Sequence, residues 1–417
     1  MSLATIWLVA SAAVVTPGAS PRELGISGST NANPSIVASD RFAAVAWGAT
    51  EKDGPTDVYV AVSRDAGQTF AHPVRVSDAG SHAMLSGEQP PSVAIVPRRG
   101  LAPAVVVVWT SKSTDGTRLV AARSDDQGRT FSRPVSVPGT NAAGNRGWES
   151  VATDRSGGIV AVWLDHRDAM NGAHMSHQPG AHVEAPSDGV ARAQLSKLFF
   201  GRLGDAGATR PIAAGVCYCC RTALTTGAEG AIYAAWRHVY PGNLRDIAFA
   251  MSRDGGRTFT DPVRVSEDKW ELDGCPENGP AIAVDTTTSR IHVVWPTLTT
   301  EGGHETLALF YATSLDGRTF SDRVRLPTTG AAYHPQMTLT RGGTLLVAWD
   351  EAGQGGRKVR FARGTPGAGG AMSFAPIASS EGVRGSYPAV AETTDGPLAA
   401  WMNPGAADPR IMVAAVR

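Results

Sequence analysis

Three of the four cysteines of this 417-residue chain lie in one tetrapeptide, Cys217-Tyr218-Cys219-Cys220, and the fourth is Cys275. In an extended segment, Cys217 and Cys219 would point to one side and Cys220 to the other. Three chemistries are open to this set. A disulfide could join Cys275 to Cys217 or Cys219, or link the vicinal pair Cys219 and Cys220 with strain; thiolates could hold a soft metal; or the thiols could be inert and buried.

A segment rich in histidine and methionine favours the metal interpretation. Residues 166–182 contain four of the ten histidines and two of the nine methionines, namely His166, Met170, His174, Met175, His177 and His182. Imidazole and thioether are both copper ligands, and thioether suits Cu(I) in particular. The alternative is a polar insertion with chance histidines. Copper is therefore the expected metal and zinc the second choice, with His238 and His334 as further candidate ligands.

A tryptophan repeat determines where these segments lie. An apolar run ends in tryptophan seven times, at Trp47, Trp109, Trp163, Trp236, Trp295, Trp349 and Trp401. A short apolar strand precedes each tryptophan by about a dozen residues, and further strands follow it. Four strands per unit at this period predict an all-β fold, a seven-bladed β-propeller, with the tryptophans packed between blades.

The ends of the chain predict how the ring closes. The last unit stops at Arg417 without a fourth strand, whereas residues 23–29, ELGISGS, look like an unpaired fourth strand ahead of the first unit. We therefore expect Leu24–Ser27 to pair with Ile411–Val416, which completes the seventh blade and removes a free sheet edge. Residues 20–417 would then form one propeller domain.

The N-terminus and the charge balance bear on location and partners. Residues 4–15 are an apolar run of signal-sequence length, so residues 1–19 are predicted to be a signal peptide of an exported, periplasmic or extracellular protein. Lys plus Arg and Asp plus Glu number 38 each, and this zero net charge argues against nucleic acid as a partner. No apolar run is long enough to predict a membrane span, and a monomer is expected.

A second motif recurs after the third strand of several units. It reads SRDAGQTF at Ser63–Phe70, SDDQGRTF at Ser124–Phe131, SRDGGRTF at Ser252–Phe259 and, shortened, SLDGRTF at Ser314–Phe320. Aspartate can bond the amides of a turn, and glycine can adopt positive φ there. The motif resembles the Asp-box, or BNR repeat, of the sialidase superfamily, and this resemblance covers the whole mature chain. It implies a sialidase-like propeller and a structural role for these turns.

Loops on the opposite face carry the candidate catalytic residues. Loops that lead into strand one converge on the propeller axis, where a concave centre is the default site. The candidates are Arg146, Glu149, Arg221, Asp273, Tyr333, Arg384 and Tyr387, with Asp165 nearby. Sialidases use an arginine triad, a Tyr–Glu pair and an Asp. Their Arg-Ile-Pro motif is absent here and they have six blades, so no catalytic role is carried over to this chain.

Two functions follow from these patterns. The first is metal binding or redox chemistry, with copper held at the axial mouth by Cys217, Cys219, Cys220, Cys275, His334, His238 and His166. The alternative is a glycoside hydrolase of the exo-sialidase kind, with a glycan at this face and the cysteines as disulfide staples. An enzyme would be either copper-dependent and redox-active or a glycosidase.

Overall fold

Seven four-stranded antiparallel sheets make up the protein in the computed structural model, which describes residues 20–171, 189–367, 370–378, 383–405 and 408–417. The predicted seven-bladed all-β propeller is confirmed. The innermost strands of the first six blades line a central cavity. The predicted signal peptide, 1–19, lies outside the described residues, as do His174, Met175, His177 and His182.

Each blade takes its strands in chain order from the axis outwards, and the last blade is completed by the N-terminal strand. The strands of the first three blades are β2 Ser29–Ser39, β3 Phe42–Glu51, β4 Thr56–Ser63 and β5 Val74–Arg75; β6 Ser92–Val96, β7 Ala104–Ser113, β8 Gly116–Ser124 and β9 Val135–Ser136; β10 Arg146–Thr153, β11 Ile159–Asp165, β12 Lys197–Arg202 and β13 Asp205–Ala214. Those of the next three are β14 Ala223–Thr226, β15 Ile232–Arg237, β16 Ile247–Ser252 and β17 Val263–Arg264; β18 Ala281–Asp285, β19 Arg290–Glu301, β20 His304–Ser314 and β21 Val324–Arg325; β22 Ala331–Leu339, β23 Leu345–Gly353, β24 Gly356–Pro366 and β25 Met372–Pro376. The seventh blade consists of β26 Ser386–Thr393, β27 Gly396–Asn403, β28 Arg410–Ala415 and β1 Arg22–Leu24. The described helical segments are α1 Gly189–Gln194 and 3-10 turns at Arg167–Asn171 and Ala228–Gly230.

The repeated tryptophans fill the spaces between blades, as predicted. Trp109 packs with Val58 and Val60 of the preceding blade, and the other six tryptophans occupy the equivalent interfaces. All seven are at most 5% exposed. Because the large aromatic side chains remove apolar surface of two sheets from water at once, each interface has its own buried apolar cluster.

Closure by the N-terminal strand is confirmed, with shifted bounds. Strand β1 pairs antiparallel with β28, from Arg22 opposite Val413 to Leu24 opposite Ile411. The predicted strand, Leu24–Ser27, extends too far because the chain turns after Leu24. The Asn31 side chain accepts the Ile26 N–H at 2.8 Å and donates to the Ile26 carbonyl at 3.1 Å, so the backbone of Ile26 bonds to a side chain and not to a strand.

The Ser-x-Asp turns join the third and fourth strands on one face of the propeller. In the first of them, Ser63 donates to Asp65 at 2.7 Å and accepts the Gly67 N–H at 2.8 Å. Asp65 also accepts the N–H and hydroxyl of Thr69, at 2.9 and 2.5 Å. The turns that begin at Ser124 and Ser252 repeat all four bonds. The aspartate is therefore the centre of the turn.

Asp65→Ala should lower the free energy of unfolding by about 1 kcal/mol through the lost turn hydrogen bonds. Partial burial raises the pKa of Asp65, but the bonds from Thr69 and Ser63 outweigh it and lower the pKa from 3.8 to about 2. A carboxyl group whose pKa is lower in the folded than in the unfolded chain stabilises the fold at pH values above its unfolded-state pKa. The contribution of Asp65 should therefore disappear as the pH falls from 3.8 towards 2. Urea denaturation across this window measures it. The exposed Asp261, changed to alanine, is the control; equal effects of the two variants would contradict the role of Asp65.

Candidate functional site

The starts of the seven inner strands form a ring around the axis, on the face opposite the Ser-x-Asp turns. In each blade, the residue before the repeated tryptophan pairs with a residue of the inner strand. The position two residues before that inner-strand partner is equivalent in all seven blades. We call these positions the mouth ring; they hold Asn33, Pro90, Trp148, Arg221, Gly279, His334 and Tyr387. Its members belong to segments that are far apart in the sequence.

In four blades the backbone at the mouth ring has an unusual, left-handed conformation. A β-bulge interrupts the pairing of strands one and two there, and Asn33, Trp148, His334 and Tyr387 have φ of 58°, 54°, 52° and 53°. Left-handed backbone is unfavourable for large aromatic residues such as Trp148 and Tyr387. Bulges are also enriched beside active sites, where they re-aim side chains. The same bulged, left-handed backbone therefore recurs at the mouth ring in four blades, which makes this ring the candidate site.

Glu88 reaches across the mouth from the second blade. Its Oε2 accepts the main-chain N–H groups of Arg221 and Gly279, both at 2.8 Å, although these residues belong to blades four and five. The preceding Gly87 passes under Tyr387, and a Cβ at Gly87 would lie 1.8 Å from the tyrosine ring. A glycine is therefore required there, and it allows the buried Glu88 carboxylate to reach the centre.

His334 is held in a chain of polar contacts beside Glu88. Its Nδ1 lies 2.7 Å from Asp350 Oδ1, and Asp350 also bonds Arg357 through its other oxygen. Its Nε2 lies 4.0 Å from Glu88 Oε1, which is beyond hydrogen-bond distance. Because a carboxylate oxygen accepts hydrogen bonds, the short contact places the Nδ1–H on Asp350, and Nε2 is the ring nitrogen that faces Glu88.

Tyr387 flanks the same imidazole. The two ring centroids are 4.6 Å apart, and the Tyr387 N–H donates to Asp350 at 3.3 Å. Burial raises the pKa of Tyr387, and the negative charges of Asp350 and Glu88 add to this against the opposing effect of Arg357. The phenol is therefore protonated at neutral pH and can act as a hydrogen donor.

A cavity of about 220 Å³ lies along the axis and is lined by the inner strands of the first six blades. Its polar lining residues are Ser35, Ser92, Ser150, Thr222 and Gln336, and the four hydroxyls among them donate to main-chain carbonyls of neighbouring segments. Arg221 also lines it, and its guanidinium makes no hydrogen bond to a described residue. Burial lowers the pKa of Arg221, while the nearby Glu88 and Glu149 raise it. The cavity is thus polar, and its described lining includes the guanidinium of Arg221, close to the carboxyls of Glu88 and Glu149.

Glu149 is a second buried acid of the mouth. Its Oε2 accepts the Thr110 hydroxyl at 3.0 Å, and its Oε1 has no hydrogen-bond partner among the described residues. Burial raises the pKa of Glu149 from 4.5 to about 7, although hydrogen bonds and Arg221 oppose the shift. The side chain is therefore largely neutral below this pH.

Glu149→Gln should remove a pH-dependent loss of stability. Between pH 4.5 and about 7 the folded chain keeps a proton that the unfolded chain has lost, so the free energy of unfolding falls as the pH rises through this window. A pKa shift of this size corresponds to about 3 kcal/mol in the free energy of unfolding. The wild type loses this stability across the pH window, and the glutamine variant does not. Urea denaturation at about pH 5 and about pH 8 measures the difference. The exposed Glu229→Gln is the control, and parallel pH curves for Glu149→Gln and the wild type would contradict the prediction.

The three cysteines of the tetrapeptide are brought together, in a different way from that expected. A turn at residues 218–220 replaces the extended segment, so Cys220 turns back to Cys217. The Sγ–Sγ distances are 3.9 Å from Cys217 to Cys219, 4.0 Å from Cys219 to Cys220 and 3.6 Å from Cys220 to Cys217. Cys219 also forms a disulfide with Cys275, one of the bridges that the sequence allowed, while Cys217 and Cys220 are free and buried.

The two free thiols have different surroundings. A hydrogen bond from Cys220, together with Arg245 and Arg237, lowers the pKa of Cys217 against the effect of burial. Burial raises the pKa of Cys220, and Cys217 adds to this. Arg245 donates to Cys217 Sγ at 3.3 Å, and the Asn278 N–H donates to Cys220 Sγ at 3.4 Å. Cys217 is therefore the thiol that ionises first.

The histidines predicted as metal ligands lie elsewhere. Among the described residues, the possible ligand atoms within 4.8 Å of one another are those of Cys217, Cys219 and Cys220, without a histidine. His166 contacts Ser196 and the edge of Trp148, and His238 packs against Tyr240. Burial lowers the pKa of His166 and of His238 to about 4, so both rings are neutral. His334 belongs to the polar chain of the mouth.

The catalytic candidates are also divided. Arg146 is 1% exposed and donates to Asp165 and to the carbonyls of Thr117, Thr140, Ala142 and Ala143. It is committed to the fold, so it does not converge with Arg221 and Arg384 on a substrate. Arg384 and Asp273 are exposed on the rim, and Tyr333 packs on Arg357 at 4.3 Å.

Four residues of the mouth were not among the catalytic or metal-binding candidates predicted from the sequence: Glu88, Asn278, Asp350 and Arg357. Asp350 had a usable signal, because it directly follows Trp349. The equivalent residues after the other tryptophans are Gly48, Thr110, Leu164, Arg237, Pro296 and Met402. Asp350 and Arg237 are thus the charged members of the set, and both are buried polar anchors. For Glu88, Asn278 and Arg357 the sequence holds no comparable signal, since their partners lie in other blades or across a hairpin.

Of the helical segments that the structure describes, none has the length and apolar character needed to cross a membrane. No protein-family model matches the chain, and no curated protein matches it.

Several solved structures of similar fold are those of carbohydrate-active proteins. An ulvan lyase of polysaccharide lyase family PL25, bound to -[GlcA(1-4)Rha3S]-, has a TM-score of 0.56 and 10% identity over 95% of this chain and 96% of its own. A GH93 α-L-arabinofuranosidase of Fusarium graminearum has a TM-score of 0.49 and 14% identity, over 87% of this chain and 99% of its own. The intramolecular trans-sialidase of Ruminococcus gnavus has a TM-score of 0.45 and 12% identity, over 93% of this chain and 94% of its own. At these identities the likeness concerns the propeller fold and assigns no reaction.

Proposed function

We propose that the protein is a carbohydrate-active enzyme that cleaves a uronate-containing glycan by β-elimination at the axial mouth. The observation that carries this proposal is the His334–Asp350 pair at the mouth, whose second imidazole nitrogen lies 4.0 Å from Glu88 Oε1 and whose ring packs against that of Tyr387. Elimination next to a carboxylate needs a base for the carbon-bound proton, an acid for the leaving oxygen and a counter-charge for the carboxylate.

His334 is the base in this mechanism. Asp350 fixes its Nδ1–H, and Arg357 fixes Asp350 in turn, so that Nε2 takes the proton from the carbon next to the uronate carboxylate. The electron pair of that C–H bond forms the new double bond as the glycosidic C–O bond breaks. Asp350 then stabilises the imidazolium that results.

Tyr387 is the acid that protonates the departing oxygen. Its raised pKa keeps the proton on the phenol at neutral pH, and its ring lies against the imidazole. Arg221 supplies the counter-charge, since it lines the axial cavity without a hydrogen bond to a described side chain. The N–H groups of Arg221 and Gly279 already hold the carboxylate of Glu88, so the mouth stabilises carboxylates. The ulvan lyase gives consistent support, as a propeller of this fold that binds a glucuronate glycan.

Elimination fits the site better than hydrolysis of the sialidase kind, the alternative expected from the sequence. A sialidase needs three arginines free to bind one carboxylate, and Arg146 is fully bonded within the fold. Glu149, the acid with the raised pKa, is 2% exposed and faces Thr110 of the neighbouring blade.

His334→Asn and Tyr387→Phe should each lower kcat by about 100-fold or more, because each removes one proton-transfer group. Asparagine also tolerates the left-handed backbone at position 334. The assay follows ultraviolet absorbance of the unsaturated uronate and, separately, new reducing ends, with alginate, polygalacturonate, glucuronan and ulvan as substrates. His72→Asn, on the opposite face, is the matched control and should keep full activity.

Two results would overturn this mechanism. Reducing ends without the unsaturated product would mean hydrolysis, and wild-type activity of His334→Asn would remove the imidazole from the reaction. Absence of cleavage of all four glycans by the wild type would count against the function itself.

A second candidate function is the copper binding expected from the sequence. The observation in its favour is the group of three buried Sγ atoms within 4.8 Å. Three thiolates at such a spacing suit Cu(I), but Cys219 is bonded to Cys275, so we propose binding only in the reduced protein.

Reduced wild-type protein should bind one equivalent of Cu(I) per chain in an anaerobic competition titration against a chromophoric Cu(I) chelator, because all three thiols are then available. Replacement of Cys217 and Cys220 together by serine should abolish this binding, while Asp254→Ala, in a Ser-x-Asp turn, should retain it. Failure of the reduced wild type to compete with the chelator would exclude the copper site.

The family and the location belong to the same set of proposals. We assign the Ser-x-Asp turns to the Asp-box type on their repeated hydrogen bonds. The Cys219–Cys275 disulfide supports an exported protein, since such bonds persist in oxidising compartments.

A further inference from the structure

The disulfide of this protein lies directly against two free thiols. Cys219 Sγ, one end of the bond, is 3.9 Å from Cys217 Sγ and 4.0 Å from Cys220 Sγ. The other end, Cys275, is exposed, whereas the three sulfurs of the tetrapeptide are buried. An inert structural bridge does not need two reduced cysteines at van der Waals distance from one of its sulfurs.

The free pair is also arranged as a nucleophile and its partner. Arg245 donates to Cys217 Sγ at 3.3 Å, which stabilises the thiolate form of that sulfur. The Cys220 thiol donates to Cys217 at 3.6 Å. The two residues have the Cys-x-x-Cys spacing, and a second disulfide could close between them without any movement of distant segments.

We propose that the four cysteines form a thiol–disulfide exchange site in which the disulfide moves inwards and releases a thiol at Cys275. The Cys217 thiolate attacks Cys219 Sγ, the Cys217–Cys219 bond forms, and the Cys219–Cys275 bond breaks with Cys275 leaving as a thiolate. One disulfide and two thiols are present before and after, so no oxidant or reductant is consumed.

A second exchange moves the bond to the Cys-x-x-Cys pair. Cys220, deprotonated by the departing Cys275 thiolate, attacks Cys217 Sγ, forms Cys217–Cys220 and releases Cys219 as a thiolate. The exposed Cys275 thiol is then available at the surface. Its partners by chemistry are disulfides, small or in a protein, which a thiol attacks to form a mixed disulfide.

The test maps thiols and disulfides in the unreduced native protein. The protein is treated with excess N-ethylmaleimide, and peptides are then identified by mass spectrometry without reduction. We expect labelled Cys275 together with a Cys217–Cys219 or Cys217–Cys220 disulfide, and Cys217→Ser should slow the labelling of Cys275 at least tenfold.

Cys220→Ser is the matched control. It removes a thiol from the same cluster but leaves the attacking sulfur, so Cys275 should still be labelled, and the trapped bond should be Cys217–Cys219 alone. Circular dichroism checks that both variants are folded. Should Cys217→Ser fail to fold, the mapping of the wild type decides by itself.

Two outcomes would overturn the proposal. One is a wild-type protein in which every chain retains Cys219–Cys275 and Cys275 stays unlabelled after prolonged treatment. The other is labelling of Cys275 at the same rate in folded Cys217→Ser as in the wild type. Neither result depends on whether the mouth cleaves a glycan.

Discussion

Closure of the ring is the constraint on which the rest of this structure depends. A four-stranded blade has two apolar faces, and both are buried only when every blade has a neighbour on each side. The pairing of β1 with β28 provides the last neighbour, and one tryptophan fills each of the seven interfaces. Closure also determines the site. It brings Glu88 to the N–H of Gly279, 191 residues further along the chain, at 2.8 Å.

The mouth is stable because its buried charges are bonded across blades. Glu88 of the second blade is held by main-chain N–H groups of blades four and five, and Asp350 of the sixth blade accepts the N–H of Tyr387 from the seventh, besides its bonds to His334 and Arg357 within its own blade. An unpaired polar group buried in such a place costs on the order of 1–3 kcal/mol, so these bonds also fix the spacing of the blades. Within the described part of the chain the guanidinium of Arg221 makes no such hydrogen bond, and the nearby carboxyls of Glu88 and Glu149 favour its charge.

The fold could be predicted from the sequence more completely than the candidate site. Apolar runs that end in tryptophan report local strand patterns, and these remain readable without knowing what each strand touches. The site depends on contacts between loops, so Glu88 and Asn278 have no signature of their own in the chain. The cysteines show the same limit in a smaller segment. Their proximity was predicted, but not the turn that brings Cys220 back to Cys217, which packs in one apolar cluster with Val239 and Trp148.

Strand β1 ends earlier than its alternating sequence pattern predicts, because of a single side chain. ELGISGS alternates as a strand should, and the pairing was predicted with the right partner strand. The Asn31 amide takes both backbone groups of Ile26, so pairing stops at Leu24. Local side-chain bonds of this kind compete with sheet formation, and a periodicity analysis does not include them.

The two chemical centres of the molecule meet in one short segment, residues 275–279. Asn278 is fully buried; its N–H bonds Cys220, while its side-chain oxygen accepts the N–H of His334 at 3.0 Å. Gly279 holds Glu88, and Cys275 anchors the segment to Cys219. Among the described residues, no histidine nitrogen lies within 4.8 Å of all three sulfurs, so the two centres are chemically separate. They are mechanically joined, because the backbone that the disulfide restrains is the same backbone that positions His334 and Glu88.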